Sequence, residues 1–215
     1  MLIVIACLVG VLILLIISEL LQTNNVLKGE YLRKFVHISV GSFIAFWPWL
    51  MSWWTLRILG LLMITFVITN WHLRIFNYYG KVKRHSYGVL LLATAVFLSA
   101  LLASQKIFFT IAILQVSLAD GLAAIIGTKY GQDWRYKVFG QSKTVIGSMS
   151  FWLISLGILG AGMLVAHNMV GFNNYVWLLV LLPALLTEIE NIGVFGIDNL
   201  LIPIITVLVL RLVQA

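Results

Sequence analysis

The sequence predicts an all-α fold, a polytopic integral membrane bundle of about seven to eight transmembrane helices. Three observations carry this. Only 10% of the 215 residues are charged and 62% are hydrophobic, whereas soluble domains carry about a quarter charged residues. The mean hydropathy is +1.07. The apolar residues also gather in runs close to the ~20 residues that a helix, rising 1.5 Å per residue, needs to cross a bilayer.

The runs follow one another along the chain. The first covers Leu2 to Leu21, with Glu19 near its end. The polar loop QTNNVLKGEYLRK leads to the second, about Phe35 to Leu50, which ends at Pro48 and a tryptophan cluster. The third runs from Trp53 to about Trp71. A basic stretch from His72 to His85 precedes the fourth, Tyr87 to Ala103. The fifth spans Ile107 to Gly127, and the polar loop TKYGQDWRYKVFGQSK separates it from the sixth, Val145 to Ala166. A short seventh run, Tyr175 to Leu186, is broken by TEIENIGVFGIDN before Leu200 to Val213. Length leaves no room for a separate soluble domain. The expectation is one membrane-embedded domain over residues 1–215, with a peripheral N-terminal helix over 1–22 and a core over 31–213.

Composition excludes several function classes. Cys7 is alone in an apolar run, which rules out a disulfide framework or a cysteine metal site. The four histidines do not pair at ligand spacing on one helix, which argues against zinc. The first run has no Lys or Arg before it and no small-residue cleavage site, so it is expected to be retained. A net charge of +7 would suggest nucleic acid in a soluble chain; here it reads as a topology signal, with no nucleic-acid partner. Eight alternating spans put Lys28, Arg33, Lys34, Arg74, Lys81, Lys83, Arg84, Lys129, Arg135, Lys137 and Lys143 on one side. Arg57, Lys106 and Arg211 fall on the other. The positive-inside rule makes the first side cytoplasmic. All seven acidic residues lie near that side as well, so any chemistry is expected there, where nucleotides are available.

Four constellations could carry it. In LADGLAAIIGTKYG, Asp120, Ala123, Ala124 and Gly127 share a helix face. A carboxylate there costs about 2.5–3.5 kcal/mol on insertion scales, and is tolerable beside a wet cavity, a cation or a metal. The following loop offers Gly127, Lys129 and Gly131, then Ser142, Lys143, Thr144, Gly147 and Ser148. Glycine amides, Lys and Ser/Thr donors at a helix start suit phosphate, although no Walker loop is present. Arg33, Lys34 and His37 can face one cavity at the start of the second helix, as a phosphoryl transition state would require. Snorkelling topology signals would account for Arg33 and Lys34 but less well for His37. Finally, Glu188 and Glu190 point to different helix faces, so one is expected to enter the core. With Asp120 and Asp198 they could supply oxygen ligands for Mg²⁺. The stretch Arg74 to His85 suits anionic headgroups of bilayer lipids.

These patches occur in an order that resembles the family of CTP-dependent polyprenol kinases: dolichol kinase, phytol kinase and the CTP-using diacylglycerol kinases. The resemblance rests on Arg33-Lys34-Phe35-Val36-His37, on Arg84 with Tyr87-Gly88, and on Asp120, Gly121, Ala123, Ala124, Gly127 and Gly131. It continues through Ser142, Lys143, Thr144, Gly147 and Ser148 to Glu190, Asp198, Asn199 and Pro203. It covers most of the chain from Tyr31 to Pro203. One position departs: Ile146 stands where the family has Glu in K-T-x-E-G-S, leaving Glu188 as a carboxylate that could compensate. The resemblance implies transfer of the CTP γ-phosphate, with Mg²⁺ as cofactor, to the hydroxyl of a membrane lipid alcohol. Asp120, and Glu190 or Asp198, would hold the metal. Lys129, Lys143 and the glycine backbone would cradle the nucleoside triphosphate. Arg33, Lys34 and His37 would stabilise the transferring group. Two alternatives stay open: a phosphatidate cytidylyltransferase, and a transporter, which broken helices also serve. Against the transporter stand the lack of an internal repeat and the one-sided charge.

Overall fold

A computed structural model describes residues 1–73 and 87–214. It is a helical bundle in which each of the eight apolar runs is helical. The helices are α1 (Leu2–Thr23), α2 (Gly29–Ala45), the single turn α3 (Trp47–Leu50), α4 (Trp53–Leu73), α5 (Gly88–Leu102), α6 (Lys106–Leu114), α7 (Asp120–Tyr130), α8 (Val145–Val165), α9 (Phe172–Ile192) and α10 (Asp198–Leu212). Among the described residues, five helical segments are long and apolar enough to cross a membrane: α1, α4, Lys106–Tyr130, α8 and Asn174–Ile192. The remaining helices α2, α5 and α10, of 17, 15 and 15 residues, are shorter. The basic stretch from Arg74, including Arg84, lies outside the described residues.

The bundle is built around Lys106–Tyr130. Its apolar window is 67% buried, against 11% for α1, so the first is the central helix and the second is the most peripheral. The reason is in the sequence KIFFTIAIL, apolar all round after its first residue, Lys106, apart from one Thr, which gives α6 no face suited to water. One side of α6 (Phe108, Ile111) joins a core with α8, α9 and α10. The other (Phe109, Ala112, Ile113) joins a core with α1, α2, α3, α4 and α5. Helix α5 packs on both α4 and α10, α8 on α7 and α9, and α1 on α2.

Three local features differ from the sequence expectation. The fifth run is not uniformly α-helical: Gln115–Ala119 forms a π-helical turn between α6 and α7. The seventh run does not stop at Leu186. Helix α9 continues through Glu188 and Glu190 to Ile192, and the break falls at Gly193 to Ile197. Its polar residues can remain helical because they are satisfied there: Thr187 Oγ1 donates to Pro183 O and Glu190 meets Lys143. The sixth helix starts at Val145, as its apolar run does, but the polar loop before it is not all loop. Before it, β1 (Arg135–Val138) and β2 (Gln141–Thr144) form an antiparallel hairpin. Its two-residue turn has Phe139 at φ 46° and Gly140 at φ 79°, the type I′ geometry that suits the twist of a hairpin.

Chain alternation brings one set of helix ends together: the starts of α2, α5, α8 and α10 and the ends of α7 and α9. The hairpin lies at this end of the bundle.

Candidate active site

At that end α2 meets α7 through a buried ion pair. Lys34 and His37, three residues apart on α2, share one face. Lys34 Nζ donates to Asp120 Oδ2 at 2.8 Å, with both residues about as buried as the core, at 6% and 5% exposure. His37 Nε2 lies 2.8 Å from Val116 O and 3.5 Å from Asp120 Oδ2. A carbonyl can only accept, so Nε2 carries a proton.

The π-helical turn explains why that carbonyl is available. The Asp120 N–H bonds Gln115 O, five residues back, instead of Val116 O. The wider turn thus takes from Val116 O its usual α-helical donor, and His37 occupies the acceptor. Single π turns inside α-helices recur at functional sites.

A second pair stands beside the first. Lys143, at the end of β2, donates to both Glu190 O, at 2.7 Å, and Glu190 Oε1. Asp198, at the start of α10, is within electrostatic range of Asp120, Lys143 and Lys34, and Glu190 of Asp120 and Asp198. Three carboxylates and two lysines therefore form one cluster with a formal charge of −1. Asp198 Oδ1 is buried and accepts no hydrogen bond among the described residues. An orphaned buried carboxylate oxygen is costly unless a cation or donor arrives.

This donor set fits Mg²⁺, which takes hard oxygen ligands from one or two carboxylates and completes its shell with phosphates and water. Among the described residues no three His, Cys, Asp or Glu side chains come together at metal-holding distance. The protein alone thus makes no closed cage, and the expected trio Asp120, Glu190 and Asp198 is not assembled as one. Asp120 and Glu190 face lysines, while Asp198 has the free oxygen.

Compared with known proteins, the chain is 31% identical over 196 residues to a phytol kinase of Synechocystis sp., a match that spans 87% of this chain and 81% of the relative. The chain belongs to the polyprenol/phytol kinase family. No family model matches it, and no solved structure matches it.

The kinase-family motifs divide into those at the cluster and those that build its frame. Lys34, His37, Asp120, Lys143, Glu190 and Asp198 are at the cluster. Arg33 turns away from Asp120 and pairs with Glu30 on the exposed side of α2, so the three α2 residues do not share one cavity. Lys129 is exposed, its Nζ 5.0 Å from the Tyr130 ring centre. Ser142 is exposed on β2.

The glycines expected to cradle phosphate serve packing instead. A Cβ on Gly127, Gly131 or Gly147 would come within 2.5–2.7 Å of Thr144 side-chain atoms. The three form a collar that lets α7 and the start of α8 close on Thr144. Thr144 caps α8, its Oγ1 accepting from Gly147 N at 3.0 Å, and Val145 N–H donates to Trp134 O. Two amides of the first turn of α8 are thereby spent, leaving less for an anion.

Asn199 is structural too: buried, it donates to Gly88 O at 3.0 Å and ties α10 to α5. Glu190 enters the interior while Glu188 is exposed, so Glu188 is not placed to replace the carboxylate missing at Ile146.

Three residues at or beside the cluster carry no motif signal. Tyr136 on β1 donates to Asn191 Oδ1 at 2.7 Å, as does Ser148 Oγ on α8. This knot fixes the hairpin over the end of α9, next to Glu190. The third, Gln115, opens the π turn. Asn191 was visible only as the neighbour of Glu190, and Gln115 only as a polar residue five before Asp120.

Proposed function

We propose that this chain phosphorylates an isoprenoid lipid alcohol, using the γ-phosphoryl group of CTP, at the cytoplasmic face of a membrane that it crosses several times. The observation that carries the proposal is the buried Lys34–Asp120 pair with His37, set beside Lys143, Glu190 and the orphaned oxygen of Asp198. Membership in a kinase family supports the transfer chemistry. The relative's name, phytol kinase, supports an alcohol with a long branched chain. The excess of Lys and Arg on the side where the cluster lies supports the cytoplasmic assignment.

The reaction asks mainly for positioning and charge stabilisation. The lipid hydroxyl oxygen attacks the γ-phosphorus, the bond from that phosphorus to the β–γ bridging oxygen breaks, and CDP leaves. The hydroxyl proton passes to the carboxylate cluster. Lys34 and Lys143 bring positive charge to a nucleotide entering beside them, and His37 holds Asp120 in register through Val116. Asp198 and Asp120 would hold Mg²⁺, which neutralises phosphate charge when bound.

The test is CTP turnover by purified protein in detergent against a panel of lipid alcohols. The expected products are CDP and lipid phosphate in equal amounts. Pyrophosphate with a CDP-lipid would instead identify a cytidylyltransferase. Asp198→Asn removes charge without stranding a partner, so it should fold like the parent and lose turnover about a hundredfold. Parental activity in this variant would sink the metal role.

A further inference from the structure

We infer that the hydrocarbon chain of the acceptor alcohol lies in an apolar groove between α6 and α8, which leads away from the polar cluster. This rests on the lipid-kinase reading and names where the substrate's chain goes. The groove has a volume of about 480 Å³ and is walled by Phe46, Ile107, Ile111 and Leu114 on one side and by Ile154, Gly157, Ile158, Ala161, Gly162 and Val165 on the other. That volume is in the range of sites for drug-sized ligands, ~300–1,000 Å³.

Its one polar side chain, Thr110, is already satisfied: the hydroxyl donates to Ala45 O at 2.8 Å. An occupant needs to offer no hydrogen bond along the groove, as a hydrocarbon does not. The groove also ends near the site, on the helix that carries Asp120. Leu114 is the last residue before the π turn, and Asp120 follows six residues later on the same helix, about 9 Å along its axis. Beside Leu114 and Ile154 come Gln115 and Ser155, both fully buried. Gln115 Oε1 and Ser155 Oγ have no hydrogen-bond partner among the described residues. The apolar groove therefore ends where spare polar capacity begins, the pattern that an alcohol with a long tail would complete.

Gly157 provides a clean probe. A Cβ there meets nothing within 4 Å, so a side chain can be added at the groove wall without its first carbon striking the protein. Gly160, equally open, does not line the groove and serves as the control. Gly157→Leu should raise KM for phytol about tenfold or more, because several methylenes lose their burial. It should leave turnover of prenol, a single isoprene unit, unchanged. Gly160→Leu should change neither.

If Gly157→Leu leaves KM for phytol at the parental value while turnover persists, the groove is not the chain site and the kinase reading still stands. Equal loss for phytol and prenol also overturns the groove. A second copy of the chain could cover the same strip of small residues; a Gly157→Leu protein that changes from dimer to monomer with unchanged KM would show this and overturn the inference. If the parent phosphorylates no alcohol, photolabelling with diazirine-bearing phytol decides independently of activity. Label within residues 154–165 that Gly157→Leu abolishes upholds the groove, and label elsewhere refutes it.

Discussion

Burying an ammonium and a carboxylate costs several kcal/mol per ion, and the Lys34–Asp120 contact offsets this only while both partners remain. Lys34→Met should therefore destabilise the protein by about 3–5 kcal/mol, leaving Asp120 charged without its ammonium partner in a dry setting. Adding Asp120→Leu to it should return most of the lost stability, since an apolar pair of similar volume carries no stranded charge. Activity should not return with it. Thermal melting of the single and double variants in detergent, beside CTP turnover, checks both halves. A double variant that melts as low as the single one would show that the pair's geometry, and not its charge balance, holds α2 against α7. The same reasoning separates Asp198 from its neighbours. Its Oδ1 accepts no hydrogen bond among the described residues, so its removal should be nearly neutral for folding and severe for turnover.

At the scale of elements, the hairpin and the π turn position the charged groups, and both escaped the sequence reading for physical reasons. A four-residue strand such as RYKV or QSKT is too short to show a period against loop composition. The turn that pins its register has Phe at a position with φ 46° where Asn is the usual choice. Phe139→Asn should consequently raise stability by a few tenths of a kcal/mol to about 1 kcal/mol, read as a higher melting temperature with unchanged kcat. The glycines were visible, but their reason was not: whether a missing Cβ makes room for a phosphate or for Thr144 depends on which helix lies opposite. Gly131→Ala tests the packing account. Its methyl would sit 2.6 Å from Thr144 Cβ and 2.7 Å from Gly127 O, a backbone atom that cannot yield. We expect lower thermal stability, with KM for CTP changing less than kcat as Lys143 shifts. A π turn leaves no mark in composition, because one residue added to a helix keeps both flanking faces apolar. Its only trace was a Gln in a membrane-length run.

For the whole molecule, hydropathy located each long helix among the described residues because segment length and apolarity are set by the bilayer, not by tertiary contacts. The boundaries that failed are those where polar residues find partners inside the bundle, as Glu190 does with Lys143. The motif positions were legible, but their division into cluster and frame was not, since Arg33 and Lys34 differ only in which way one helical step rotates them. The sidedness that the charge count predicts can be tested directly. Cys7 is the lone cysteine and is buried, so Cys7→Ser gives a background free of thiols. Ser142→Cys places a thiol on the exposed edge of the hairpin, and Asn168→Cys places one in the exposed loop after α8. These positions flank one helix of 21 residues, about 31 Å long and able to span a hydrocarbon core. In intact cells an impermeant maleimide should label the Asn168→Cys variant and spare the Ser142→Cys variant until the membrane is opened. The reverse pattern would put the cluster on the outer face, away from cytoplasmic nucleotide, and no kinase using CTP could work there.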